Sequence, residues 1–135
     1  MTTGTVLLVI DDEGVATVFT EALTEAGYNA ERASSPQQAL SLLSSPAGAF
    51  CLILSEPFTQ PSDDPYHWLD QIHAGSTVPV VICTGWPQAR FGDYEARGYA
   101  GFLPQPVDLD DLVGLAETLC GEAAGAADLT AGQGR

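Results

Sequence analysis

The chain has 135 residues, 45% of them hydrophobic, enough for one domain with a buried core. Its net charge of −14 rests on 18 acidic residues against four arginines (Arg32, Arg90, Arg97, Arg135) and no lysine. The basic face that nucleic-acid or anionic-membrane binding requires is therefore missing, and a protein partner with a basic patch fits better. No apolar run approaches a membrane span and no basic-then-apolar leader is present, so a soluble, cytoplasmic protein is expected.

The first element is the run Val6-Leu7-Leu8-Val9-Ile10, whose lack of alternation predicts a strand covered on both faces. Asp11, Asp12 and Glu13 follow, and then a helix with Val15, Val18, Phe19, Ala22 and Ala26 inward and Gly27 as its stop. A short strand is expected at 28–33. Ser35-Pro36 supplies an N-cap and a first-turn proline for a second helix bearing Ala39, Leu40, Leu42 and Leu43. A buried strand spans 50–55, and the three prolines of 57–65 make a loop. A helix at 66–73, a strand at 78–84, a weak fourth helix at 88–97 and a fifth strand at 100–104 come next. Asp108 caps a fifth helix with Leu109, Leu112, Leu115, Ala116 and Leu119 inward. Residues 121–135, small and polar, are expected to form a flexible tail behind a domain at 1–120.

Five alternations of strand and helix predict an α/β fold, a parallel sheet with helices on both faces and its site at the carboxyl ends of the strands. Those ends carry Asp11 and Asp12 after the first strand, Glu56 after the third, Thr84 on the fourth and Gln105 after the fifth. Each residue type is common, but the joint placement is not. A carboxylate closing the buried run LILSE at 52–56 needs a partner. Cys51, Cys83 and Cys120 are odd in number and lie in apolar segments, so buried free thiols are expected.

The pieces VLLVIDDE at 6–13, LILSE at 52–56, VPVVICTG at 78–85 and GYAGFLPQPVDLDDL at 98–112 resemble, in order and spacing, the receiver domain of bacterial response regulators. The resemblance covers about residues 5–120. It implies a flavodoxin-like doubly wound sheet of strand order 2-1-3-4-5. It also implies that Asp11 and Asp12 match an acidic pair that holds Mg²⁺, Thr84 a phosphoryl-binding hydroxyl and Phe102 an aromatic switch. Two positions depart from the pattern. Glu56 stands where the family has its phosphoacceptor aspartate, and Gln105 where it has a lysine. The resemblance further implies Phe58 as a carbonyl ligand for Mg²⁺, and it suggests a cis Gln105-Pro106 bond.

Glutamate moves the carboxylate by about 1.5 Å, and a misplacement near 1 Å costs on the order of 100-fold in rate. Gln105 donates hydrogen bonds but cannot neutralise developing charge. Ser55 is no substitute acceptor, since strand alternation points it to the opposite face. Three carboxylates in one pocket repel, so either one has a raised pKa or a cation binds; hard oxygen ligands suit Mg²⁺ at Asp11, Asp12 and Glu56 with, as the resemblance implies, the Phe58 carbonyl. The alternative is Glu56 rotated toward Gln105 or Thr84 without metal. A bond from Thr84 to Glu56 would be worth ~1.5–3 kcal/mol against the ~5.5 kcal/mol a full two-state shift requires, so Glu56 could bias a switch toward its phosphorylated form without locking it. A decayed pocket is the competing reading.

The preferred function is a non-enzymatic, phosphorylation-independent interaction module. It would dock a histidine kinase, phosphotransfer or effector protein through the fourth helix, fifth strand and fifth helix, as a monomer or weak dimer. Mg²⁺-dependent phosphotransfer at Glu56 comes second, and small-ligand binding last, since no glycine-rich phosphate loop is present. Asp63, Asp64 and His67 belong to a solvated loop rather than a metal site. Trp86 either anchors a partner or packs over the acidic pocket.

Overall fold

The structure, a computed structural model, describes residues 4–44, 49–58 and 63–121. Apart from Gly121, the expected tail lies outside them, as do residues 59–62 of the proline-rich loop. Strands β1 (Thr5–Val9), β2 (Asn29–Ala33), β3 (Leu52–Ser55), β4 (Val80–Thr84) and β5 (Gly101–Pro104) form one parallel sheet in the order 2-1-3-4-5. Helices α1 (Glu13–Glu25) and α4 (Leu109–Ala116) cover one face, and α2 (Pro36–Leu43) and α3 (His67–Ala74) the other. The period of two along β1 sends Val6, Leu8 and Ile10 into one core and Leu7 and Val9 into the other. Burial on both faces is why the run reads as continuously apolar.

Local signals act as expected at the helix starts. The Asp12 side chain accepts from the Val15 N–H at 3.1 Å, the Ser35 hydroxyl from the Gln38 N–H at 3.1 Å, and Asp108 from the Asp110 N–H at 2.9 Å. Gly27 ends α1 at φ +97°, a conformation that suits glycine.

Four expectations need correction. Val18 is 45% exposed, because it lies one residue, about 100°, round α1 from Phe19, and the buried stripe is Ala16, Phe19 and Leu23. Leu109 is 38% exposed at the first position of α4, where Leu112 and Ala116 turn inward instead.

The weak fourth helix is a single 3₁₀ turn at Gln88–Arg90, so there are four α-helices among the described residues. Extended Pro87 precedes that turn, and Gly92 (φ +63°) and Gly98 (φ +96°) interrupt the chain beyond it. Aromatic packing replaces the missing helix. Phe91 and Tyr99 are buried, Phe91 packs edge-on against Tyr66 and Phe102, and Tyr99 stacks on His73. Asp70 accepts from the Tyr99 hydroxyl (2.6 Å) and pairs with Arg97 (2.7 Å), whose guanidinium lies over the Tyr66 ring.

The cysteines are not all free. Cys51 and Cys120, 69 positions apart in sequence, form a disulfide, and Cys83 alone is a buried thiol. Cys51 is fixed before β3 by its N–H bond to the Thr5 carbonyl, and a π-helical turn at Glu117–Gly121 sets Cys120 beside it. Spacing alone gave no sign that the chain brings these two together.

Candidate functional site

The carboxyl ends of β1, β3, β4 and β5 border a cleft of about 500 Å³. Asp11, Glu56, Thr84 and Gln105 line it, with Trp68 and Trp86 at its wall, and none of its lining residues carries a positive charge. The ladder continues past β3, since the Glu56 N–H donates to the Val9 carbonyl at 3.0 Å. This sets the Glu56 side chain at the mouth of the cleft.

Both Glu56 oxygens are engaged. Oε1 accepts from the Asp11 backbone N–H at 2.8 Å, and Oε2 from Gln105 Nε2 at 3.2 Å. Gln105 is placed by its own N–H bond to the Thr84 carbonyl (2.9 Å) and precedes a cis bond to Pro106. Its amide also reaches Cys83 Sγ at 3.3 Å. Burial pushes the Cys83 thiol up to about 11, with the Glu56 charge adding to the rise and the Gln105 bond opposing it. Glu56 is thus rotated toward Gln105, one of the two alternatives the sequence left open.

Thr84 is 3% exposed and its Oγ1 accepts from the Trp86 N–H at 3.0 Å; the Glu56 carboxylate takes its hydrogen bonds from Asp11 and Gln105, not from Thr84. The acidic residues do not converge either. Asp12 caps α1 and lines a separate groove, which leaves Asp11 and Glu56 at the cleft. Among the described residues no three His, Cys, Asp or Glu side chains are arranged to hold a metal ion. Asp12 lines the other groove, so the expected ligands Asp11, Asp12 and Glu56 are not gathered round one point in this conformation. Phe58, at φ +51°, is the one non-glycine residue with positive φ among the described residues, and it packs against the core under α2 and α3.

Phe102 is half-buried between Phe91 (5.3 Å) and Tyr94 (5.7 Å). Trp86 packs over the cleft, stacked on Phe91 at 6.0 Å, with the Arg90 guanidinium 4.2 Å from its ring. Ser55 is buried and donates to the Glu56 carbonyl. In the loop, Asp64 accepts from the Tyr66 N–H and the Asp63 carbonyl from Arg90.

Sequence reasoning missed Arg32. Its Nε donates to the Ile10 carbonyl (3.0 Å) and its Nη2 to the Asp11 carbonyl (2.6 Å), so a cation is fixed behind the acidic strand end. The only available signal was a lone arginine next to Ala33 at the end of an otherwise neutral or acidic strand. A second groove, about 720 Å³ and mainly apolar, runs between α1 and the approach to α4. Val15, Val18, Val107 and Leu109 line it, including both of the exposed large apolar residues among those described.

No protein-family model matches the sequence, and no curated protein does. Solved structures do. The receiver domain of the hybrid histidine kinase CckA is 25% identical, with 87% of this chain and 99% of that one covered at a TM-score of 0.67. A CheY-like receiver domain from Methylobacillus flagellatus is 19% identical over 86% of this chain and 98% of that one, at 0.72. The chain has the receiver-domain fold. The chemotaxis protein CheY4 of Vibrio cholerae matches it as well, at 20% identity, 86% and 98% coverage and a TM-score of 0.70. On this receiver fold the side chains of Glu56 and Gln105 are bonded to each other. Among the described residues no helix is long and apolar enough to cross a membrane.

Proposed function

We propose that this receiver-fold chain is a signalling module that binds protein partners and works without being phosphorylated. One observation carries the reading: the Glu56 carboxylate bridges the Asp11 N–H and the Gln105 amide. A phosphoacceptor carboxylate attacks phosphorus through an oxygen lone pair, which hydrogen bonds from N–H donors make less nucleophilic, and the developing charge needs a cation beside it. Here both oxygens already accept hydrogen bonds, and the lining of the cleft offers no positive charge. The module turns nothing over, requires no Mg²⁺ and acts in the cytoplasm. Permanent imitation of the phosphorylated state is the weaker reading, because it relies on a Glu56–Thr84 bond and the Glu56 carboxylate is instead held by the Asp11 N–H and the Gln105 amide.

Incubation with Mg²⁺ and acetyl phosphate, followed by intact mass, tests the proposal. The native chain is expected to gain no phosphoryl increment. An increment that disappears in Glu56→Gln would overturn it. The Glu56→Asp/Gln105→Lys double variant, which restores an acceptor and a cation, is expected to gain one.

The partner docks in the α1–α4 groove rather than on the face first expected, whose helical element is a single 3₁₀ turn. Asp12 lines this apolar surface and Asp108 stands in sequence between its lining residues Val107 and Leu109, so its occupant is a kinase or effector surface of apolar residues rimmed by basic ones. With the cognate partner, Val18→Asp and Leu109→Asp should each weaken binding at least about tenfold, as losses at a buried apolar contact do. Thr118→Asp, in the turn after α4 and on the groove beside β5, should leave it unchanged. The opposite pattern would return docking to the β5 face.

A further inference from the structure

We infer that Cys51 and Cys120 form a redox-sensitive clasp that sets how firmly the C-terminal end of the domain is held. The pair joins the residue before β3 to a widened π-helical turn, Glu117–Gly121, that follows α4 directly. The two anchors differ in strength. Cys51 is tied to β1 through its N–H bond to Thr5, and Gly4 leaves room for its sulfur, since a Cβ there would stand 2.7 Å from Sγ. On the other side, α4 ends at Ala116, and beyond it Cys120 is the one fully buried residue of the last turn. Wide turns of this kind are rare and persist where surrounding contacts hold them.

A dithiol reductant opens the clasp by thiol–disulfide exchange. Its thiolate attacks Sγ of Cys51, the less buried of the two, and Cys120 leaves and takes up a proton. The second thiol of the reductant then displaces Cys51, which is protonated in turn. Two electrons and two protons pass to the protein, and the reductant departs as a cyclic disulfide. The last turn is then held by packing alone and opens locally more often. The clasp lies at the amino edge of the sheet, opposite Glu56, so it stands or falls apart from the binding role.

The test uses the whole chain. Alkylation in denaturant without reductant should label one thiol, Cys83, and after dithiothreitol three. Amide exchange at residues 117–121 should rise at least about tenfold on reduction, with β1 and β4 unchanged. Cys51→Ser should match the reduced form under both conditions, and reduced wild type serves the same purpose if that variant does not fold. Three labelled thiols without reductant would overturn the pairing. Equal exchange at 117–121 in the two states would overturn the clasp.

Discussion

Replacing Glu56 by glutamine separates two views of the acidic strand end by the sign of the result. If repulsion among Asp11, Asp12 and Glu56 dominated, removing one charge would stabilise the fold. The structure gives the reverse. Asp12 is engaged at its helix cap, and Glu56 accepts two N–H donors at 2.8 and 3.2 Å. Hydrogen bonds to a charged group contribute about 1.5–3 kcal/mol each when buried, and less here because Glu56 is half-exposed. Glutamine keeps one oxygen for the Asp11 N–H but turns an NH₂ toward the Gln105 amide. The expected cost is therefore about 1–2 kcal/mol. At roughly 3–5 °C per kcal/mol for a domain of this size, Tm should drop measurably. Urea denaturation followed by tryptophan fluorescence gives the value, and a cycle with Gln105→Leu should show about 0.5–1 kcal/mol of coupling. Asp11→Asn keeps its backbone donor and should change stability by less than about 0.5 kcal/mol. An unchanged or raised midpoint for Glu56→Gln would refute the reasoning.

Alkaline stability should depend on Cys83. Its folded pKa is raised to about 11 from 9.0, so the thiol costs nothing below pH 9, and stability falls as pH climbs from 9 to 11. The loss amounts to about 2 kcal/mol by pH 11. Urea midpoints for wild type and Cys83→Ala should diverge over that range, and parallel curves would contradict the assignment. Two glycines with nearly equal φ should differ sharply on conversion to alanine. Gly27→Ala meets open space and pays only the backbone term, about 1–2 kcal/mol. Gly98→Ala also sets a methyl 2.9 Å from His73, so its Tm should fall further, and equal losses would show that His73 yields freely.

The sheet was legible because its strands are buried on both faces and therefore continuously apolar, and because capping side chains mark the starts of α1, α2 and α4. Strand order came from the resemblance, as periodicity does not encode which strands pair. The positions of Glu56, Thr84 and Gln105 around one cleft were readable, since any residue at the carboxyl end of a parallel strand is carried there. Their hydrogen bonds were not, because rotamers depend on neighbours distant in sequence. Gln105 and the Asp11 N–H take the Glu56 carboxylate, and the Val15 N–H takes Asp12. The segment from Pro87 to Tyr99 was misread because its pattern of aromatics at 91, 94 and 99 serves stacking across to α3 as well as it would serve a helix. The disulfide escaped because local spacing says nothing about residues 69 apart.

That aromatic segment has a mechanical consequence. A helix is stiff along its axis, so a push at one end is delivered at the other, and a conformational signal can travel along it as along a rod. Residues 91–99 have no such axis. They are fixed point by point, through the Phe91 carbonyl bonded to Tyr66, the Tyr99 hydroxyl on Asp70, Arg97 across the Tyr66 ring and Phe102 wedged against Phe91 and Tyr94. With the segment pinned at separate points, this side of the molecule is built as a fixed relief rather than as a rod.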